Sequence, residues 1–114
     1  MVKQKKDMRL ETKKDLRGGR GEIETLNLLE SAETLGKCSL CSRMTLLPGV
    51  SIGEHAHNPD AEIYYCLSGE ITVGDNGVQK VLHAGDIMFT GGGGTHWAKN
   101  LSSEPAEMLA IVIL

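Results

Sequence analysis

Gly49-Val50-Ser51-Ile52-Gly53-Glu54-His55-Ala56-His57-Asn58-Pro59-Asp60-Ala61-Glu62 reads as a strand, a turn and the start of the next strand, and it carries three side chains that bind metals. His55 and His57 are two residues apart. In an extended strand, positions i and i+2 point to the same face, so both imidazoles look one way. Two imidazoles on one face can reach a common ion at about 2.0–2.2 Å. Asn58-Pro59-Asp60 is turn chemistry, and the strand after it brings Glu62 back beside the pair. A set of imidazoles and a carboxylate suits Mn, Fe, Ni or Zn. His96 stands on a later strand, just past the run Gly91-Gly92-Gly93-Gly94, where glycine lets the backbone curve and approach a ligand closely. His83, in a turn before Gly85, reads as an ordinary polar residue.

On either side of this stretch the chain is a series of short strand candidates closed by turn residues. They are Glu22–Leu28, Lys37–Leu47, Val50–His57, Ala61–Leu67, Glu70–Val73, Val78–Leu82, Ile87–Thr90, Thr95–Lys99 and Ala106–Ile113. Asn76-Gly77 is a strong hairpin signal, because both central residues of a type I′ turn need positive φ. Ser31–Gly36 reads as a loop or a single helical turn. Many short strands without an internal helix predict an all-β antiparallel sandwich or barrel. Period-two alternation extends the candidate site: if Glu62 points inward, so do Tyr64 and Cys66, and if His96 does, so do Ala98 and Asn100.

The spacing also carries a family resemblance. Gly49, five residues, His55-Ala56-His57, four residues, Glu62, six residues, Gly69 is similar to the first motif of the cupin superfamily at each fixed position. Gly85, five residues, Gly91, one residue, Gly93, two residues, His96, three residues, Asn100 is similar to the second, with Gly91 where proline is usual. The chain therefore resembles a small single-domain cupin of the oxalate-decarboxylase-like, conserved-barrel type. The resemblance implies a double-stranded β-helix, or jelly-roll, barrel with one divalent metal ion inside. It implies His55, His57, Glu62 and His96 as ligands, with coordination positions left open for a substrate. Without proline at 91, the glycine run is expected to be mobile and to act as a lid beside the metal.

Two functions follow from this resemblance. The first is a metal-dependent enzyme acting on a small organic acid or similar chelating substrate, of decarboxylase, dioxygenase or isomerase type, with Tyr64 as the catalytic residue that orients the substrate. The second is a binding or sensing module that uses the same metal without turnover; a barrel with vestigial histidines is a third, lesser reading. One fold carries many activities, so the fold does not choose between them. Arg43 or Arg20 is a candidate to reach a carboxylate ligand.

Charge and composition narrow the partners. Residues 1–20 hold eight Lys/Arg against three acids, whereas residues 21–114 hold four against twelve. The chain thus divides into a basic N-terminal arm, 1–20, helical or disordered, and a barrel domain, 21–114. The arm reads as a solvated segment beside an acidic barrel. The basic residues are interspersed with acids and aromatics are few, so no nucleic-acid partner is expected. The longest apolar run, Met108–Leu114, is too short for a bilayer, which takes about 20 residues, so no membrane partner is expected either. With no secretory signal and an odd number of cysteines (Cys38, Cys41, Cys66), a cytoplasmic protein without a disulfide framework is expected. Cys38 and Cys41 have the Cys-x-x-Cys spacing but lie within one strand candidate, which suits neither a redox pair nor a zinc site. Met108–Leu114 is apolar on both faces and needs cover on both, which points to a homodimer.

Overall fold

The computed structural model describes all 114 residues. The chain forms ten strands: β1 (Arg9–Lys14), β2 (Glu22–Asn27), β3 (Cys38–Leu46), β4 (Ser51–Ala56), β5 (Ala61–Ser68), β6 (Glu70–Asp75), β7 (Val78–His83), β8 (Ile87–Thr90), β9 (Thr95–Lys99) and β10 (Ala106–Ile113). The only helical pieces are short 3₁₀ turns at Lys5–Asp7, Leu16–Gly18 and Ser31–Thr34. Two antiparallel sheets face each other, one of six strands in the order β1-β2-β3-β10-β5-β8 and one of four in the order β4-β9-β6-β7. This is the all-β double-stranded β-helix expected from the sequence.

Nine of the ten strands fall where turn residues and apolar alternation place them. Asp75 pairs with Val78 across Asn76-Gly77, and both turn residues have positive φ, 49° and 81°, as the tight hairpin requires. The tenth strand differs from the expectation. Residues 9–14 of the basic segment are neither helical nor irregular but form β1, in full register with β2 from Arg9↔Asn27 to Lys14↔Glu22. A buried side chain fastens it: the Asn27 amide donates to the Arg9 carbonyl at 3.2 Å and to Glu11 Oε1 at 3.0 Å, and accepts from the Ser42 hydroxyl at 2.8 Å.

The barrel interior has two halves. One is apolar, with Ile23, Leu46, Ile71, Val73, Ala106 and Met108 among its fully buried side chains. Burial of each such aliphatic side chain contributes roughly 1.5–3 kcal/mol. The other half is polar. Along β5 the inward positions run Glu62, Tyr64, Cys66, and along β9 into the following loop they run His96, Ala98, Asn100, all buried. Asn100 closes the apolar end, donating to the carbonyls of Leu46 and Glu104, both at 2.8 Å.

Candidate metal centre

On β4 the period of two is broken, and the break is what makes the site. Ile52 pairs with Ala98 and His55 pairs with His96, so three steps on β4 match two on β9. The extra residue at Gly53-Glu54 is a β-bulge. It allows Ile52 and His55, an odd number apart, both to face the interior. Ile52 packs in the core while His55 and His57 look into the polar half.

His55, His57, Glu62 and His96 converge, their ligand atoms all within 4.8 Å of one another. His96 Nε2 lies 2.9 Å from His55 Nε2, 3.2 Å from His57 Nε2 and 3.0 Å from Glu62 Oε1. His57 Nε2 lies 3.1 Å from Glu62 Oε1, and His55 Nε2 lies 3.8 Å from it. The outward-facing nitrogens fix what the inner ones can be. His55 Nδ1 donates to the Gly53 carbonyl at 2.8 Å, and His57 Nδ1 donates to the Asp60 carboxylate at 3.0 Å. In the neutral ring, a hydrogen on Nδ1 leaves Nε2 as a lone pair. With both rings in that form, these two nitrogens and a carboxylate oxygen crowd together with His96 Nε2, whose Nδ1 is 2.9 Å from the Thr90 hydroxyl. Facing acceptors repel, and a cation at their centre removes the repulsion.

The spacing fits such an ion. Four of the five separations lie between 2.9 and 3.2 Å. Adjacent ligands of an octahedral ion with bonds of about 2.1 Å are about 3.0 Å apart, against about 3.4 Å for a tetrahedral one. Burial pushes the Glu62 carboxyl upward, but the imidazoles of His55, His96 and His57 outweigh it and hold the group down at about 2. Glu62 is thus a carboxylate, the form that binds a metal.

Tyr64 is 2% exposed, and its ring stacks on His96, with centroids 4.6 Å apart and planes 10° from parallel. Burial, and then the charge and hydrogen bond of Glu62, hold its phenol well above the ordinary tyrosine range. Tyr64 therefore keeps its proton and is a donor, not a base. Cys66 is a core residue, its thiol near the carbonyls of Ser68 and Gly69, both at 3.6 Å, and burial pushes it up. Cys38 and Cys41 are unpaired and half-buried. Burial and the neighbouring Cys38 raise the Cys41 thiol, the reverse of an activated nucleophile. His83 is the last residue of β7, where the sequence suggested a turn, and lies away from the cluster, 3.6 Å from both Glu70 and Asp86.

The glycine run is bonded to a ligand residue: His57 N donates to the Gly94 carbonyl at 3.1 Å and Gly93 N donates to the His57 carbonyl at 2.9 Å, so the loop braces the end of β4 at His57. The cations also differ from expectation. Arg43 sits 3.9 Å from Glu107 on the outside of the sheet, and Arg20 lines a separate surface groove. Lys13 and Arg17 instead line the cavity of about 230 Å³ that contains His55, His57, Glu62 and Tyr64. Sequence reasoning also passed over Asp60 and Thr90. Asp60 reads as a turn residue, and no spacing marks Thr90.

Comparison with known proteins agrees with this geometry. A family profile described as "Cupin domain" matches residues 42–112. An oxalate-binding protein of Thermotoga maritima is 40% identical over 114 residues, covering 100% of this chain and 94% of that protein. A crystal structure from T. maritima, described as a predicted oxalate decarboxylase, superposes with a TM-score of 0.93 at 39% identity, covering 100% of this chain and 99% of that one. A Klebsiella pneumoniae protein described as having a double-stranded β-helix domain gives a TM-score of 0.70 at 27% identity, over 86% of this chain and 82% of that one. With the sheet topology, the four convergent ligands and the profile match over most of its length, the chain belongs to the cupin family.

Proposed function

We propose that this chain binds one divalent metal ion through His55, His57, Glu62 and His96 and uses it on a small organic acid that chelates the ion, in a decarboxylase-, dioxygenase- or isomerase-type reaction. The observation that carries this is the convergence of three imidazoles and one buried carboxylate, with their ligand atoms all within 4.8 Å of one another. The octahedral spacing favours Mn, Fe or Ni over tetrahedral Zn. A bound ion supplies Lewis-acid polarisation of a carboxylate oxygen. The chain supplies the rest. Gly53 O and Asp60 hold the imidazoles in the ligating tautomer, and the Tyr64 phenol, proton retained, is the donor that orients the acid. The name of the Thermotoga relative, an oxalate-binding protein, supports the ligand class.

The second reading is a binding protein without turnover. It is favoured by the cavity lining, where the one carboxylate besides Glu62 is Asp60, already committed to His57. The proposal extends to a homodimer formed through the outer face of the six-stranded sheet, where Ile87 and Phe89 are each 63% exposed beside Tyr65 and Leu67. It also places the protein in the cytoplasm, on the support of three free thiols. No helix is long and apolar enough to cross a membrane.

Elemental analysis tests the centre. Wild-type protein reconstituted with Mn, Fe or Ni is expected to hold close to one ion per chain, and His57→Ala combined with His96→Ala a small fraction of that. An unmetallated wild type that also fails to take up metal would sink the reading. Incubating the loaded protein with oxalate under air, with CO₂ and O₂ followed, separates enzyme from binder.

A further inference from the structure

The segment Asp15–Gly21 crosses the mouth of the cavity as a strap between β1 and β2. Its ends are locked by Asp15 N to the Gly21 carbonyl and Gly21 N to Asp15 Oδ1, both at 2.9 Å. Its second half is laid onto β4: Ser51 N donates to the Arg20 carbonyl at 2.9 Å, and Arg20 N donates to the Ser51 carbonyl at 3.2 Å and hydroxyl at 2.9 Å. The two backbones meet with no room for side chains. A methyl group at Gly53 would collide with the Arg17 carbonyl, and one at Gly19 with the Ser51 carbonyl. Leu16 packs against the core. Within this frame Asp15 and Arg17 are both left-handed, with φ of 49° and 55°, a conformation that costs a non-glycine residue on the order of 1–3 kcal/mol and persists only where the surroundings impose it.

The strap brings Arg17, an exposed residue, to the lining of the cavity that also holds His55, His57 and Glu62, and Lys13 of β1 lines the same cavity. The guanidinium forms no ion pair and no side-chain hydrogen bond within the chain, in contrast to Arg9, which pairs with Glu11 and Glu30. The cavity, at about 230 Å³, is smaller than the roughly 300–1,000 Å³ of pockets for drug-sized ligands, so its occupant is small. With a divalent ion on its one carboxylate ligand, and with Lys13, Arg17 and Asp60 included, the cavity carries a net positive charge that complements a dianion.

We propose that Arg17 is the specificity-determining residue for a short dicarboxylate, taking the carboxylate oxygens that face away from the metal in a two-pronged hydrogen bond, with Lys13 as a second, weaker positive charge. The inference rests on the metal centre proposed above and adds a ligand class and a residue to it. A planar guanidinium matches a carboxylate edge in a way an ammonium does not. A monocarboxylate on the same ion leaves Arg17 unused.

Calorimetric titration of oxalate and of acetate into metal-loaded protein tests this, with metal content measured on every sample. Arg17→Met is expected to keep the metal and to weaken oxalate roughly 10- to 100-fold, the usual effect of losing charge-assisted hydrogen bonds, with acetate nearly unchanged. Arg17→Lys should recover only part of the loss, and Lys13→Met should cost less than Arg17→Met. An Arg17→Met protein that binds oxalate as the wild type does, or loses oxalate and acetate equally, overturns the inference. So does a loaded wild type that does not prefer oxalate to acetate, while leaving the metal centre standing. A wild type without metal overturns the centre and this inference together.

Discussion

At the scale of single residues, the site depends on where protons sit. His55 and His57 each donate from Nδ1 to an outer acceptor, and Tyr64 keeps its proton. The last point has a consequence in alkali. Burial, and then the charge and hydrogen bond of Glu62, raise the folded phenol above its ordinary value of 10. A group raised in the folded state adds stability below its unfolded value and loses it as pH climbs toward the folded one, so this contribution is intact below pH 10 and declines above it. In metal-free Tyr65→Phe protein, absorbance at 295 nm should therefore show no phenolate until circular dichroism shows unfolding. A phenolate signal with a midpoint near 10 in folded protein would contradict the buried donor. The ligand residue types and their pairing on one strand were legible because two imidazoles at i and i+2 are a local pattern. Asp60 and Thr90 were not, because a partner that fixes a tautomer needs no particular spacing in the chain.

At the scale of elements, period-two reasoning held on β5 and β9, where Tyr64, Cys66, Ala98 and Asn100 are all buried. Alternation is interrupted between Ile52 and His55, because a bulge inserts one residue and sequence alternation does not announce where. β1 was missed for a different reason: Arg9, Glu11, Lys13 and Lys14 give it no apolar face. Charged edge strands are common protection against stray pairing, and what holds this one is Asn27, distant in sequence. The bulge and the strap meet at Gly53, which gives its carbonyl to His55 and its bare Cα to Arg17. Gly53→Ala should consequently lift the strap. The expected cost is about 1–3 kcal/mol, as for other overpacked sites, seen as a lower Tm. Limited trypsin digestion should then cut after Arg17 or Arg20 in the variant faster than in wild type. Equal cutting and an unchanged Tm would mean that the strap is not clamped there.

At the scale of the whole molecule, the outer face of the six-stranded sheet remains apolar. β10 presents Leu109, Ile111 and Ile113 between Tyr65 and Ile63 of β5 on one side and Arg43 and Cys41 of β3 on the other, with Ile87 and Phe89 of β8 beyond β5. The double apolarity of Met108–Leu114 in the sequence foretold this row, though not the contribution of β8. Size exclusion should show wild-type protein at twice the 12.3 kDa chain mass and an Ile87→Lys, Phe89→Glu variant at the single mass; a wild type running as a monomer would exclude this interface. The division of the interior into an apolar half closed by Asn100 and a polar half holding the ligands separates the parts of the chain that keep it folded from those that meet a substrate. Lys13, Arg17 and Asp60 line the cavity and are not part of the core that holds Leu46, Ile71 and Met108. One such barrel is therefore free to exchange one small acid for another over evolutionary time, by altering the rim of its mouth, without passing through an unfolded ancestor.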